Sequence, residues 1–263
     1  MNFLVAQMIS CYNPFETKER NLIKIYPFET KERNLIKIYS FEKGIHMKAI
    51  SKMKSLILKW VLLYGLIYMP WFCYLEKRQT IHYLIHSPLD DYIPFVEYFI
   101  IPYLLWFVFL AVTGAYFFFT NRRDFYRLAA FLCSGMTIFL IVCTIFPNGL
   151  NLRPVTFPRE NIFTDLVRMI YSMDTPTNVL PSIHVYNSIG AMAAIAHSTS
   201  LKKHRGVQIG SYVLGILIIF STVFLKQHSI TDVIAALAMA CMIYPFVYAT
   251  QEKKETKLSQ QLI

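Results

Sequence analysis

Charge is scarce in this 263-residue chain, with Asp, Glu, Lys and Arg together making up 16%. A soluble domain usually carries about 25%, so there are too few charges to coat a water-facing surface. Hydrophobic residues reach 55%, aromatics 16% and mean hydropathy +0.41, which excludes a disordered chain as well. Acidic groups are the scarcer sign, 16 against 26 Lys and Arg, for a net charge of +10. In a soluble protein that surplus would suggest nucleic acid. In an apolar chain it has a topological reading instead, because basic residues collect on the cytoplasmic side of membrane helices. Cysteine is sparse and unpatterned: Cys11, Cys73, Cys133, Cys143 and Cys241 show no CxxC pair and no zinc-like spacing, and four lie in apolar runs, as small buried hydrophobes do. The first 46 residues hold no apolar core of secretory type, so no cleavable signal peptide is expected.

Residues 14–26, PFETKERNLIKIY, recur unchanged as residues 27–39. Two copies are too few for a solenoid, which needs at least about three. The repeat reads as a tandem duplication outside the main fold, with Met47 or Met53 as alternative starts. Three parts are expected: a cytoplasmic amino-terminal segment over 1–54, a membrane domain over 55–250 and a cytoplasmic tail over 251–263.

A helix needs about 20 mostly apolar residues to cross a hydrocarbon core of about 30 Å. Six stretches approach that length: 56–75, 95–119, 128–147, 183–200, 207–225 and 230–250. The fourth, opening IHVYNSIGAMAAIAHS, is the least apolar, and its small and polar residues suit helix packing or a site better than lipid contact. Lys and Arg outside these runs fall unevenly. The amino end, the 120–127 and 201–206 turns and the tail hold 19; the alternate segments hold six. Without the first 46 residues the ratio is still 12 to six, which puts both termini in the cytoplasm and agrees with an even number of crossings. The expected fold is therefore all-α: a multi-pass bundle of six transmembrane helices in the cell membrane. In the 148–182 segment, Ile162, Phe163, Leu166, Val167 and Ile170 recur at helical spacing among Arg159, Asp165 and Arg168. This predicts a short amphipathic helix at the outer interface, ending near Asp174 and Pro176.

An ionisable residue inside a membrane is costly and usually has a partner or a task. Several gather near the expected outer ends of the helices: Arg153; Ser182 and His184; and Lys226, His228 and Asp232. His228 and Asp232 are four apart, so on one helix face the carboxylate could hold one imidazole nitrogen and free the other for attack. The alternative is a satisfied polar pair at a helix start. Ser182 and His184 read equally as a helix cap and an interfacial histidine, Arg153 as a snorkelling anchor, and Lys226 as a solvated loop charge.

Taken together, Arg153-Pro154, Pro181-Ser182-Ile183-His184 and Ser221-x6-His228-x3-Asp232 resemble the three-part signature of the type 2 phosphatidic acid phosphatase superfamily, whose membrane members have six helices. The resemblance covers roughly residues 55–250, and STVFLKQHSITDVIAA is particularly similar to bacterial members. It implies that His228 is a nucleophile forming a phosphohistidine, that Asp232 orients it and that His184 protonates the leaving group. It further implies that Arg153 and Ser182 bind phosphoryl oxygens, with no metal or other cofactor and a membrane lipid, not nucleic acid, as partner. Three positions depart from the pattern. Phe146 and Thr222 stand where the family has cations, and Ile183 replaces a glycine; Lys226 is the candidate to supply one missing charge. The leading expectation is a lipid phosphate or prenyl diphosphate phosphatase acting at the outer face. A head-group phosphotransferase resembling inositol phosphorylceramide or sphingomyelin synthases is the second, and a transporter or scaffold the third. A soluble vanadium haloperoxidase, related by the same motifs, conflicts with the apolar faces.

Overall fold

The computed structural model describes residue 61, residues 63–78 and residues 80–249. The tandem repeat, the start of the first expected crossing and the tail lie outside them. Residues 63–78 form helix α1. There follow a two-residue strand β1 (Tyr83–Leu84), 3-10 turns at Pro88–Asp91 and Glu97–Phe99, α2 (Ile100–Thr120), α3 (Arg122–Ile145) and strand β2 (Asn148–Gly149). The rest comprises α4 (Ile162–Met173), α5 (Ile183–His197), α6 (Arg205–Phe224), α7 (Ile230–Tyr244) and a π-helical turn at Pro245–Ala249.

Among the described residues, four helical stretches are long and apolar enough to cross a membrane: Glu97–Thr120, Arg122–Ile145, Arg205–Phe224 and Ile230–Tyr248. They turn Phe107, Val112, Phe119, Ile209, Ile216 and Ile234 outward. Such a surface would be an aggregation hazard in water but matches lipid. The chain is thus a multi-pass membrane protein.

The fourth expected crossing is different in kind. Helix α5 has 15 residues, about 22 Å at 1.5 Å per residue, less than the hydrocarbon thickness. Most of its side chains are buried, from His184, Val185 and Tyr186 to Ala194 and Ile195, and it packs against α2, α3, α6 and α7. Its small and polar residues thus serve helix contact, as expected. Gly190 lets it approach α3, where a Cβ would come within 2.7 Å of the Phe131 ring.

The helix starts are specified locally. Asn121, Asn161, Ser182 and Ser229 are the N-caps of α3, α4, α5 and α7, and each side chain accepts a backbone N–H in the first turn. Helix α4 ends at Met173 with Asp174 as its cap, close to the expected boundary.

Two connections are tied together beside α5. Strands β1 and β2 pair in parallel, Tyr83 with Asn148 and Leu84 with Gly149. Asn148 then accepts the Val179 and Leu180 N–H groups at 2.8 and 2.9 Å, fixing the approach to Ser182. The Phe146 ring stacks on Tyr83 with centroids 4.0 Å apart. The position that resembles a cation site is therefore filled by an aromatic pair.

Candidate active site

The polar residues gather where α3 and α6 end and α5 and α7 begin. Helix α7 opens with a capping box: Ser229 Oγ accepts the Thr231 N–H at 3.1 Å, and Asp232 Oδ2 accepts the Ser229 N–H at 2.9 Å. The same Asp232 oxygen lies 3.2 Å from His228 Nδ1. Asp232 is thus both a helix-start group and a partner of the imidazole, which joins the two readings open at the level of sequence.

Across from it, His184 Nδ1 is 3.3 Å from His228 Nε2. The His184 ring packs on Trp106 and Tyr103, with centroids 4.4 and 4.8 Å away. Helix α2, which carries both aromatics, thereby sets the orientation of His184. The Ser182 side chain caps α5, and its N–H donates to the Asp232 carbonyl at 3.3 Å, so the α5 and α7 starts are joined directly.

Arg153 reaches the cluster from the segment after β2. It donates from Nη1 to the Tyr171 carbonyl at 3.1 Å and from Nη2 to Gln227 Oε1 at 2.5 Å, and it lies 4.4 Å over the Tyr171 ring. Gln227 precedes His228, so the guanidinium and the imidazole are held by adjacent residues. Burial lowers the Arg153 pKa, opposed by the charges of Asp174 and neighbouring groups. Asp174 accepts from the Tyr103 hydroxyl at 3.4 Å. Burial raises its carboxyl above the usual range, against the pull of His228 and Arg153.

The structure therefore brings together His184, His228, Asp232, Ser182 and Arg153. It places the Lys226 ammonium elsewhere: Nζ donates to the Asp90 carbonyl at 2.6 Å, and burial lowers its pKa against the charges of Asp90 and Asp91. Thr222 is buried, its hydroxyl bonded to the Ile219 carbonyl. Neither replaces a phosphate-facing cation in this arrangement. The other basic residues of the segment are engaged outside the cluster, Arg159 with Glu97 and Arg168 with Glu160 and Asp165.

Sequence reasoning missed Gln227, Tyr103, Trp106 and Asp90. Gln227 adjoins His228, and Ser87-x-x-Asp90 has the form of a capping box, so both had a readable signal. The two aromatics had none, lying in an apolar run whose facing could not be assigned.

Compared with known families, the chain matches the PAP2 superfamily over residues 128–256. The chain belongs to the type 2 phosphatidic acid phosphatase (PAP2) superfamily. No curated protein and no solved structure matches it. The PAP2 match spans Arg153, Ser182, His184, His228 and Asp232; Asp90, Tyr103 and Trp106 lie before it. PAP2 membership and the apolar helices together fit a membrane phosphatase in general terms.

Proposed function

We propose that this chain is an integral-membrane lipid phosphate or prenyl diphosphate phosphatase that works through a phosphohistidine on His228. The alignment of His184, His228 and Asp232 within hydrogen-bond reach, in a PAP2 chain, carries the reading. With Asp232 accepting from Nδ1, the Nε2 lone pair of His228 attacks phosphorus in line with the leaving oxygen. The P–N bond forms as the P–O bond to the lipid breaks, and His184 gives the departing oxygen its proton. Water then attacks phosphorus, giving one of its protons to His184, and the P–N bond breaks to release phosphate. Arg153 stabilises the equatorial oxygens with the N–H groups not engaged by Tyr171 and Gln227, and Ser182 binds a phosphoryl oxygen from the start of α5.

The reading includes six crossings, with 61–78 completing the first and α5 the fourth, and α4 at the outer interface. The bias of basic residues supports an outer-face site and cytoplasmic termini.

A head-group phosphotransferase is the second reading, favoured by one observation. Phe146 and Thr222 leave Arg153 as the cation held at the cluster, which suits a singly charged phosphodiester better than a dianion. An alcohol then replaces water in the second step.

The test gives purified protein a panel of lipid phosphates, diphosphates and phosphodiesters, measuring free phosphate and transferred head group. Acid-labile, base-stable label on the protein with phosphate release supports the phosphatase; label passed only to an added alcohol supports the transferase. Turnover without label under trapping conditions overturns both.

A further inference from the structure

Asp90 is a buried carboxylate, 1% exposed, in the 3-10 turn Pro88–Asp91, far in sequence from the cluster it touches. Its Oδ2 accepts from Ser229 Oγ at 2.6 Å and from the Ser87 N–H at 2.8 Å, and its Oδ1 accepts from the Ile230 N–H at 2.8 Å. Its backbone carbonyl accepts from Lys226 Nζ. One residue thus holds both ends of the segment 226–230, the stretch that carries Gln227 and His228.

That segment needs holding. Lys226 has φ of 54°, in the left-handed region that residues other than glycine seldom occupy. The Gln227 and His228 N–H groups both donate to the Thr222 carbonyl at 3.0 Å, so the chain doubles back sharply between α6 and α7. Ser229 connects the two carboxylates: its hydroxyl goes to Asp90, and its N–H goes to the Asp232 oxygen facing His228 Nδ1. A shift of Ser229 would therefore move Asp232 relative to the imidazole.

We infer that Asp90 is a positioning residue for phosphoryl transfer, clamping residues 226–230 so that His228 Nδ1 stays on Asp232 and Nε2 stays aimed at phosphorus. The inference rests on the phosphohistidine reading for its chemistry but on Asp90's own contacts for its geometry. Asp90's hydrogen bonds go to Ser87, Lys226, Ser229 and Ile230, and it acts on His228 through Ser229. Its contacts also assign the Lys226 ammonium to this clamp, a task different from binding phosphate.

The test uses the full chain in detergent with Asp90→Asn, Ser229→Ala and the double variant. Two quantities are measured: the rate of His228 phosphorylation across a range of substrate concentrations, and the His228 tautomer by histidine-selective nitrogen NMR. A misplacement of about 1 Å costs about 10²-fold. Folded Asp90→Asn should slow labelling by about that factor with KM unchanged, and a single His228 tautomer should become a mixture. Ser229→Ala should add less than about twofold in the Asp90→Asn background, because both remove the same link. Labelling within about twofold of the parent with the tautomer unchanged overturns the inference, as do single losses that multiply. Where Asp90→Asn does not fold, Ser229→Ala is judged on the same two readouts. A parent that turns over without label removes the phosphohistidine reading, and the tautomer comparison then decides the clamp by itself.

Discussion

His184 Nδ1 and His228 Nε2 face each other across 3.3 Å, within reach of one hydrogen bond. With His228 donating from Nδ1 to Asp232, the proton in the gap comes from His184 and occupies the lone pair that would attack. In the proposed mechanism the substrate's phosphoryl group enters between the two rings and separates them. His184 then holds its proton toward the leaving oxygen.

The two histidines should consequently fail differently. His228→Ala should abolish turnover and phosphoenzyme together. His184→Ala should cost about 10²–10⁴-fold on a lipid monoester, whose alkoxide leaves poorly, and less on a diphosphate or aryl phosphate. Rate constants for the two leaving-group classes check this; equal losses on both would remove His184 as the acid.

Arg153 is fixed by Gln227 Oε1, by the Tyr171 carbonyl and by the Tyr171 ring. Arg153→Ala should lower kcat/KM by about 10²–10³-fold, as loss of one transition-state donor does. Arg153→Lys should recover little, since an ammonium lacks the planar fork. Gln227→Ala, which removes one of the guanidinium's hydrogen bonds, should lie between Arg153→Ala and the parent. A kcat/KM series over the three variants would expose any other order.

Much of this cluster was legible because its signals are local. His228 and Asp232 declare themselves by spacing, Ser182 by its capping position, and α4 by its apolar period. What could not be read depends on contacts distant in sequence. Nothing in the sequence around Trp106 says that its ring lies on His184, and Lys226 looks like a phosphate cation until Asp90 is found beneath it. Length alone also sets the end of α5 too late: the expected stretch runs to residue 200, whereas the helix stops at His197 before the polar run Ser198, Thr199 and Ser200.

The orientation can be checked with impermeant thiol reagents. Val155 is 99% exposed in the α3–α4 connection, and Lys203 is exposed in the turn before α6. In a background lacking the native cysteines, Val155→Cys should be labelled in intact cells and Lys203→Cys only after permeabilisation. The reverse pattern would put the site on the cytoplasmic side.

Packing around α5 should be intolerant at a single methyl. A Cβ at Gly135 would collide with the Tyr186 ring, which stacks on Phe131 at 4.5 Å and donates its hydroxyl to the Phe131 carbonyl at 2.8 Å. Gly135→Ala should therefore destabilise by about 1–3 kcal/mol. Gly114, with nothing within 4 Å of a built Cβ, provides the control: Gly114→Ala should be neutral or slightly stabilising. Thermal unfolding of both variants in one detergent makes the comparison.

Asp174 supplies a pH signature distinct from catalysis. Its neighbours are the Tyr103 hydroxyl, the charges of His228 and Arg153, and the Glu76 carboxylate, and burial outweighs the two favourable charges to raise its pKa above 3.8. The folded state then binds a proton that the unfolded chain has released, so this group's stabilising contribution is complete below about pH 4 and declines as pH rises through the folded pKa. Asp174→Asn removes the titration while keeping the shape. The variant should melt a few degrees above the parent at neutral pH, and the two curves should converge as the pH falls towards 4. Melting temperatures of the pair measured from pH 4 to pH 8 give the difference directly, and a gap that widens towards acid would mean that the Arg153 and His228 charges dominate Asp174 after all.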